Sequence, residues 1–430
     1  MASKKGAGSK STDQLKKNAT NQDKFTIFDR WSAVENEKND IDMTQKPVTS
    51  FKPSGQFRRD FLKLCEIVQL IPHPAVVPHR PPPDLKQDES LASLNSTMSK
   101  GSKKKTRGSL KGGKGKAAAL EEIFDLTESD ILSMRNSLVD TRTLQVALHL
   151  VAIPDHCNVT KIDFYNAGLT HSQLCALAEA LPSTQISQLH VDFNPISEDA
   201  GQEEDMEEKR GTKIFAELVG EESPVRIVSL RGNHIKDAGA QAIALSIVKN
   251  TRCTSLNLFD NDISDIGGTA IADALKVNPL LNSVSLANNR LTSSTLLALG
   301  ELLTRYELTP MISEMRTEAN NRIGLFNKHV AEIRKKLKDP NAPGPQPLPD
   351  LPDIEEVEGV QYVKGSSTLL VLNLGANLFD DDAAQALFRL LIPHKIQLTN
   401  TFRAMSLAGN KISSHVSEMF QEFSPIQFWF

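Results

Sequence analysis

The sequence predicts an α/β fold made of stacked strand–helix units, and three observations predict it. The pattern Leu-x-Leu-x-x-Asn-x-Ile runs from Leu256 to Ile263. The same pattern, with valine or leucine at some apolar positions, begins 28 residues earlier at Val228 and 28 residues later at Val284. After the first two of these octets, apolar residues recur at the three- and four-residue intervals of a helix. Apolar residues at a period of two, followed by helical spacing, indicate one strand and one helix in each unit.

The asparagine of each octet has a structural explanation. Alternate residues of a strand point to opposite faces, so Leu256 and Leu258 are predicted to lie in the core. The chain then turns and leaves peptide groups without a sheet partner, and a buried asparagine can both donate to and accept from such groups. We therefore predict a structural ladder of stacked asparagines rather than a catalytic set. Including weaker copies of the octet, its members are Asn194, Asn233, Asn261, Asn289, Asn377 and Asn410.

The period of 28 residues falls in the range of leucine-rich repeats. Units with a full helix resemble the ribonuclease-inhibitor type of that repeat, which implies a curved solenoid with parallel strands inside and helices outside. Asp237 and Asp265 stand at the starts of two predicted helices. There we expect them to accept hydrogen bonds from free amides and to complement the helix dipole.

The positions of the octets divide the chain into four segments. Residues 1–120 are predicted to form a long extended arm, because most of this stretch is polar and lacks apolar periodicity. Residues 121–310 hold an N-terminal cap, expected to be helical over 121–151, and the main repeats. Residues 311–365 combine helical composition with a proline-rich stretch, which predicts a helical extension and a stiff linker. Residues 366–430 hold the last repeats and a C-terminal cap.

Two stretches of the arm are candidates for docking. Between residues 57 and 70, apolar residues share one face of a predicted short helix, which either folds back onto the repeats or docks on a partner. The basic run 99–117 contains no acidic residue. It is either a solvated linker or a contact for a membrane, nucleic acid or an acidic surface such as tubulin. The helix residues proposed for docking are Phe57, Phe61, Leu64 and Val68.

An acidic insertion interrupts the repeat period. Asn194 and Asn233 are 39 residues apart, and the extra chain over 198–212 is rich in Asp and Glu. We interpret it as a solvated loop on the helical side of the repeat or, alternatively, as an electrostatic docking loop.

Composition and spacing exclude several classes of function. The formal net charge of −4 gives no overall electrostatic drive towards membranes, and no specific nucleic-acid partner is predicted. No segment has the length of an apolar membrane span, and the N-terminus lacks the apolar core of a secretory signal. The scattered cysteines predict a reducing, cytoplasmic setting. Because zinc spacing, a phosphate loop and a catalytic triad are not apparent, we predict no enzymatic activity and no cofactor.

The outward-facing strand residues define the predicted binding surface. Most of them are small, which lets another backbone approach closely. Arg231 and Phe259 are exceptions, and both are residue types enriched at interface hot spots. The surface either binds a protein segment or stays unused. The candidate residues are His190, Asp192, Ser229, Arg231, Asn257, Phe259, Asp260, Ser285 and Asn288.

The stretch from Val228 to Leu308, with SLANNRL followed by ALGELLTRYEL, resembles the central repeats of the leucine-rich repeat-containing protein 71 family. DFLKLCEIVQ and its Pro- and His-rich continuation resemble the N-terminal segment of that family. The resemblance implies a non-enzymatic protein of motile cilia or flagella. Its expected location is the axoneme and its expected partners are axonemal subunits. An alternative hypothesis is a regulator of a small GTPase, because one class of GTPase activator uses the same repeat type.

Overall fold

The structure is a computed structural model, and it describes residues 41–80, 124–154, 156–201, 210–337 and 344–430. The chain divides into two compact units, residues 1–129 and residues 130–430. The basic run 99–117 and residues 202–209 of the acidic insertion lie outside the described residues.

The described residues of the first unit form two helices, α1 (Lys46–Thr49) and α2 (Phe57–Ile67). The buried carboxylate of Asp60, in the first turn of α2, accepts hydrogen bonds from the backbone N–H and the hydroxyl of Ser54, at 2.6 and 2.8 Å. These bonds fix the chain as it enters the helix. The helix ends shortly before Gln69, which adopts a left-handed φ of 56°.

The four apolar residues proposed for docking all lie on α2 or at its end. Phe57, Phe61 and Leu64 are buried, and Val68 is partly buried. The ring centroids of Phe57 and Phe61 are 6.0 Å apart. A docking role for this helix, and the extended arm around it, stay predictions.

The second unit is built on short strands. In chain order the strands are β1 (Ile131–Arg135), β2 (Lys161–Tyr165), β3 (Gln188–His190), β4 (Ile227–Ser229), β5 (Ser255–Asn257), β6 (Ser283–Ser285), β7 (Arg305–Glu307), β8 (Ile354–Val357), β9 (Val360–Lys364), β10 (Val371–Asn373), β11 (Ala404–Ser406) and β12 (Gln427–Trp429). Nine of them form one parallel sheet in the order β1-β2-β3-β4-β5-β6-β10-β11-β12. Within it, Leu256 pairs with Val228 on one side and Val284 on the other.

Helices connect most strands of this sheet. They are α3 (Thr141–Val151), α4 (His171–Ala180), α5 (Ile214–Glu217), α6 (Lys236–Lys249), α7 (Asp265–Leu275), α8 (Ser293–Thr304), α9 (Pro310–Lys336), α10 (Asp381–Leu391), α11 (Lys395–Thr401) and α12 (Ser414–Met419). The core lies between the two layers, where Leu256 and Leu258 of the strand side meet Ile243 and Ile271 of the helices, all at most 1% exposed. A mainly parallel sheet backed by helices confirms the predicted α/β class.

The helical cap predicted over 121–151 is wrong in its first part. Ile131–Arg135 forms β1, which pairs in parallel with β2. Leu132 and Met134 are buried, whereas Ile131 and Ser133 between them are partly exposed. This period of two is the burial pattern of a strand, and short apolar runs do not distinguish a strand from a helix by sequence alone. Among residues 124–151, which the structure describes, only Thr141–Val151 is helical.

The interval of 88 residues between Asn289 and Asn377 holds more than the predicted helix and linker. Strands β7, β9 and β8 form a separate antiparallel sheet. Its hairpin strands carry Glu355, Glu356 and Gln361, so they show little of the apolar alternation that predicts a strand. Despite the insertion, the main sheet continues directly from β6 to β10.

The proline-rich stretch of this insertion packs against α9. Leu348 and Leu351 join one apolar cluster with Ala319 and Ile323 of α9 and with Val277, all less than a tenth exposed. Because Val277 follows α7, the long helix is attached to the helix layer of the repeats rather than to the face of the sheet.

Asp237 and Asp265 lie in the first turns of their own helices, as expected, but their carboxylates accept hydrogen bonds from the next helix instead. The carboxylate of Asp237 accepts from the N–H and hydroxyl of Ser264, at 2.9 and 2.6 Å, and from the N–H of Gly267 at 2.9 Å. Both donors stand at the start of the next helix, α7. Asp265 bonds in the same way to the start of α8. Each carboxylate therefore joins two consecutive repeats, which a one-repeat view of helix capping did not predict.

Candidate functional site

The six ladder asparagines follow successive strands of the main sheet. The N–H of Asn233 donates to Oδ1 of Asn261 at 3.0 Å, and the N–H of Asn261 donates to Oδ1 of Asn289 at 3.0 Å. Across the insertion the N–H of Asn289 donates to Oδ1 of Asn377 at 3.2 Å. The outer rungs repeat this geometry from Asn194 to Asn233, at 2.6 Å, and from Asn377 to Asn410, at 2.9 Å. These side chains hold the strands in register and are not available for chemistry.

One row of outward-facing positions consists of turn residues with left-handed backbone. Its members are Asn136 (φ 50°), Asn166 (48°), Phe193 (57°), Gly232 (64°), Asp260 (58°), Asn288 (54°), Ala376 (53°) and Gly409 (77°). Gly, Asn and Asp tolerate this conformation best. The Nδ2 of Asn288 also donates to Asp260 at 2.8 Å. Asp260 and Asn288 were both predicted for binding, but the left-handed backbone at these positions by itself explains why Asp and Asn occur there.

Phe193 is the outlier in this turn row. A left-handed conformation costs about 1–2 kcal/mol for a residue with a β-carbon, and bulky residues rarely adopt it. A Cβ on the neighbouring Gly232 would lie 2.3 Å from Cδ1 of Phe193, so only glycine leaves room for the ring. Strained residues of this kind are concentrated at functional sites. The ring is thus held at a cost in stability, and we treat it as a candidate for function.

Five side chains form a continuous row over the ends of β1 to β5. The guanidinium group of Arg135 lies 4.6 Å from the ring centroid of Tyr165. Tyr165 meets Phe193 edge to face at 5.2 Å. Arg231 lies between two rings, 5.6 Å from the centroid of Phe193 and 5.0 Å from that of Phe259. We call these five residues the aromatic–cationic row.

The two arginines of the row differ in their partners. Arg135 donates to Asp163 at 2.7 Å and forms an ion pair with it. Among the residues that the structure describes, none accepts a hydrogen bond from the guanidinium group of Arg231 or forms an ion pair with it. Its contacts are the two ring faces, and cation–π contacts of this kind contribute about 0.5–1 kcal/mol at exposed sites.

Asp192 and Ser229, which the sequence placed on the binding surface, lie beneath it. They are 6% and 7% exposed. Oδ1 of Asp192 accepts from the hydroxyl of Ser229 at 2.7 Å and from the N–H of Arg231 at 3.0 Å. The prediction that they are surface residues is therefore wrong, because their side chains form hydrogen bonds inside the protein. Asp192 also fixes the backbone that carries Arg231.

The remaining predicted residues stand on the face beside the row. His190, Asn257 and Ser285 are partly exposed. Burial lowers the pKa of His190, and the positive charge of Lys161 adds to the effect, whereas the carboxylates of Asp192 and Asp163 oppose it. Oδ1 of Asn257 accepts from the N–H of Phe259 at 3.0 Å, which ties the start of the turn to the strand.

Beyond β5 the face changes character. The backbone hydrogen bonds place Ala287, Gly375 and Ala408 at the register position of Phe259 in the following repeats. A Cβ on Gly375 would lie 2.8 Å from the carbonyl oxygen of Ala408. This second half of the face carries small side chains where the first half carries rings and guanidinium groups.

Three members of the row, Arg135, Tyr165 and Phe193, were not among the predicted binding residues. Arg135 lies in the segment predicted to be helical, so it was not assigned to a face. Tyr165 lies in β2, whose repeat has Ala167 in place of the ladder asparagine. Extending the register of Arg231 back through Asp192 reaches Tyr165, and that alignment could have found it.

The described residues contain no group of three or more His, Cys, Asp or Glu residues arranged to hold a metal ion. In the same part of the chain, no helix combines the length and the apolar character needed to cross a membrane.

Comparison with known families supports the repeat assignment. A family model described as Leucine Rich repeat matches residues 223–244 and 254–272. The first match contains β4 and the start of α6, and the second contains β5 and most of α7. No curated protein matches the chain significantly. The chain contains leucine-rich repeats, which typically serve as modules for protein–protein interaction.

Proposed function

We propose that the protein is a non-enzymatic adaptor that binds another protein across the first half of its sheet face. The observation that carries the proposal is the aromatic–cationic row. Arginine, tyrosine and phenylalanine are enriched in protein interfaces, and the largest contributions to binding come from such clustered anchors. Three of them, Phe193, Arg231 and Phe259, stand on turns that the asparagine ladder fixes.

The neighbouring small residues fit the same role. Ala287, at the register position of Phe259 in the next repeat, carries only a methyl group and leaves room for a partner backbone close to the sheet. A partner segment can thus contact the rings with its side chains while its backbone lies over the small positions. We further propose that the repeats curve, with the row on the inner face, as in the ribonuclease-inhibitor type.

The proposed place of action is the ciliary or flagellar axoneme, with axonemal subunits as partners. Its support is the resemblance of the stretch from Val228 to Leu308 to the leucine-rich repeat-containing protein 71 family. In this role the N-terminal arm, with its basic run 99–117, would contact neighbouring subunits or tubulin and order on assembly.

The experiment is fractionation of ciliated cells that express the tagged full-length protein. Cilia are extracted with detergent and then with high salt, and the axonemal pellet is analysed. Phe259→Ser removes one ring of the row, and Leu378→Ser is the matched control, because Leu378 is a half-exposed apolar residue outside the row. We expect the wild type and Leu378→Ser to stay in the detergent pellet and Phe259→Ser to be released.

Equal retention of both variants would contradict binding through the row. A soluble pool that stimulates GTP hydrolysis by a small GTPase would contradict the structural role and favour the alternative of a GTPase regulator.

A further inference from the structure

We infer that Arg231 anchors a carboxylate of the partner, supplied by a Glu or Asp side chain in the bound segment. This inference rests on the proposed function and specifies the chemistry of the partner. Its basis is the difference between the two arginines of the row. The charge of Arg135 is matched by Asp163 within the protein, whereas no described residue supplies an acceptor to the guanidinium group of Arg231.

The ring contacts leave the N–H donors of Arg231 without an acceptor among the described residues. A guanidinium group is planar, and its five N–H donors lie in that plane. The rings of Phe193 and Phe259 cover the group within 5.6 and 5.0 Å, and ring contacts of this kind do not consume the N–H donors. A carboxylate offers two oxygens with the spacing that an arginine fork binds in a bidentate manner.

The group is also held in place before the partner arrives. The carboxylate of Asp192 accepts a hydrogen bond from the backbone N–H of Arg231, which fixes the main chain that carries this side chain. Gly232 makes room for the strained Phe193 ring. A long side chain that is already restricted loses less conformational entropy on binding. The strained backbone of Phe193 is explained in this way, because it places the ring against the guanidinium group of Arg231.

The surrounding charges favour a carboxylate over a phosphate. Asp192 contributes a carboxylate under the row and Asp260 contributes another beside it, whereas the charge of Asp163 is matched by Arg135. A phosphate group carries about −1.5 to −2 charges at neutral pH, so it meets more repulsion from them than a singly charged carboxylate does. We therefore assign an acidic peptide segment rather than a phosphorylated one.

The test uses a random peptide library displayed on phage and selected on the immobilised full-length protein. Selected peptides are synthesised, and their dissociation constants are measured by fluorescence anisotropy. For each peptide, every acidic residue is replaced in turn by its amide and, separately, by phosphoserine. The protein variants are Arg231→Gln, Arg231→Lys, Phe259→Ser and, as the matched stacked arginine, Arg135→Gln.

We expect one acidic position whose amide substitution weakens binding to the wild type roughly tenfold, the effect of losing one charged hydrogen-bonded pair. The same substitution is expected to have no effect on binding to Arg231→Gln and its full effect on Arg135→Gln. Arg231→Lys, which keeps the charge without the fork, is expected to retain part of the preference. Thermal melts establish that each variant is folded.

The outcomes separate this inference from the proposed function. Peptides that lose binding to Phe259→Ser but show no acidic position linked to Arg231 overturn the inference and leave the adaptor role standing. Tighter binding of the phosphoserine peptides overturns the choice of a carboxylate. A selection without binders, or with binders insensitive to both Phe259→Ser and Arg231→Gln, overturns the adaptor role and the inference together.

Discussion

The two halves of the nine-stranded sheet share one backbone and differ in their surface. Asparagines stack beneath the strands of both halves, and the rung from Asn289 to Asn377 joins them across an interval of 88 residues. Above this frame, the first half carries Phe259 and its neighbours in the row, whereas the second carries Gly375 and Ala408 at the same register position. The comparison shows that the buried leucines and asparagines define the repeat, whereas the outward-facing residues can differ between repeats without changing the backbone.

The largest loss of stability is expected for Gly232 in the first half, and Gly409 at the same turn position in the second half is its control. Gly232→Ala combines a left-handed backbone with a Cβ that lies 2.3 Å from the Phe193 ring, so we expect a loss of about 2–4 kcal/mol in the free energy of unfolding. Gly409→Ala meets its nearest atom only at 3.5 Å, so its expected loss is about 1 kcal/mol, from the backbone alone. Chemical denaturation measures both. Equal losses would show that the ring does not depend on Gly232.

The asparagine ladder gives the next effect. Asn261→Ala leaves buried peptide groups without partners, and we expect it to destabilise the protein by about 1–3 kcal/mol. Asn410→Ala at the end of the ladder is the control, because Asn410 is partly exposed and water can replace its bonds. A melting curve of Asn261→Ala that matches the wild type would remove the ladder as the common element of the two halves.

The carboxylates that join consecutive repeats give a smaller, pH-dependent effect. Burial would raise the pKa of Asp265, but hydrogen bonds from Thr292 and Thr295 outweigh it and hold the pKa below its ordinary value of 3.8. Its stabilisation is therefore complete above that pH and is lost as the pH falls below it. We expect Asp265→Ala to cost about 1–2 kcal/mol at pH 7. The difference from the wild type should decrease in denaturation curves measured below pH 3.8, and an unchanged difference would contradict this role.

The smallest effect on stability is expected where the effect on binding is large. Phe193→Asn removes ring contacts and also relieves the left-handed strain, so the two changes offset and the free energy of unfolding stays within about 1 kcal/mol. Binding of the selected acidic peptides should nevertheless weaken, because one wall around Arg231 is gone. If Phe193→Asn unfolds readily, the ring contacts stabilise the protein more than the strain destabilises it. If it binds the peptides as the wild type does, the Phe193 ring is not needed for binding.

The repeat and its interior could be predicted because their causes are local. Leu256 and Asn261 recur with a fixed period, and their contacts lie one repeat away. The sequence did not indicate that Asp237 bonds to the following repeat, since capping is usually considered within one helix. Arg135 was missed because five residues of β1 are too few to show their period. The row itself depends on side chains from five strands, and spacing along the chain does not reveal which of them touch.

Photo-crosslinking at two equivalent positions tests the central claim most directly. Asn257 and Asn373 occupy the same register position, each one strand away from Ser285, one in either half of the face. Benzoylphenylalanine would be placed at each in turn, and intact cells that express the protein would be irradiated. If the first half is the binding surface, residue 257 should crosslink to one defined protein and residue 373 should not. Crosslinking at residue 373 alone, or to the same protein with equal yield at both positions, would contradict that account.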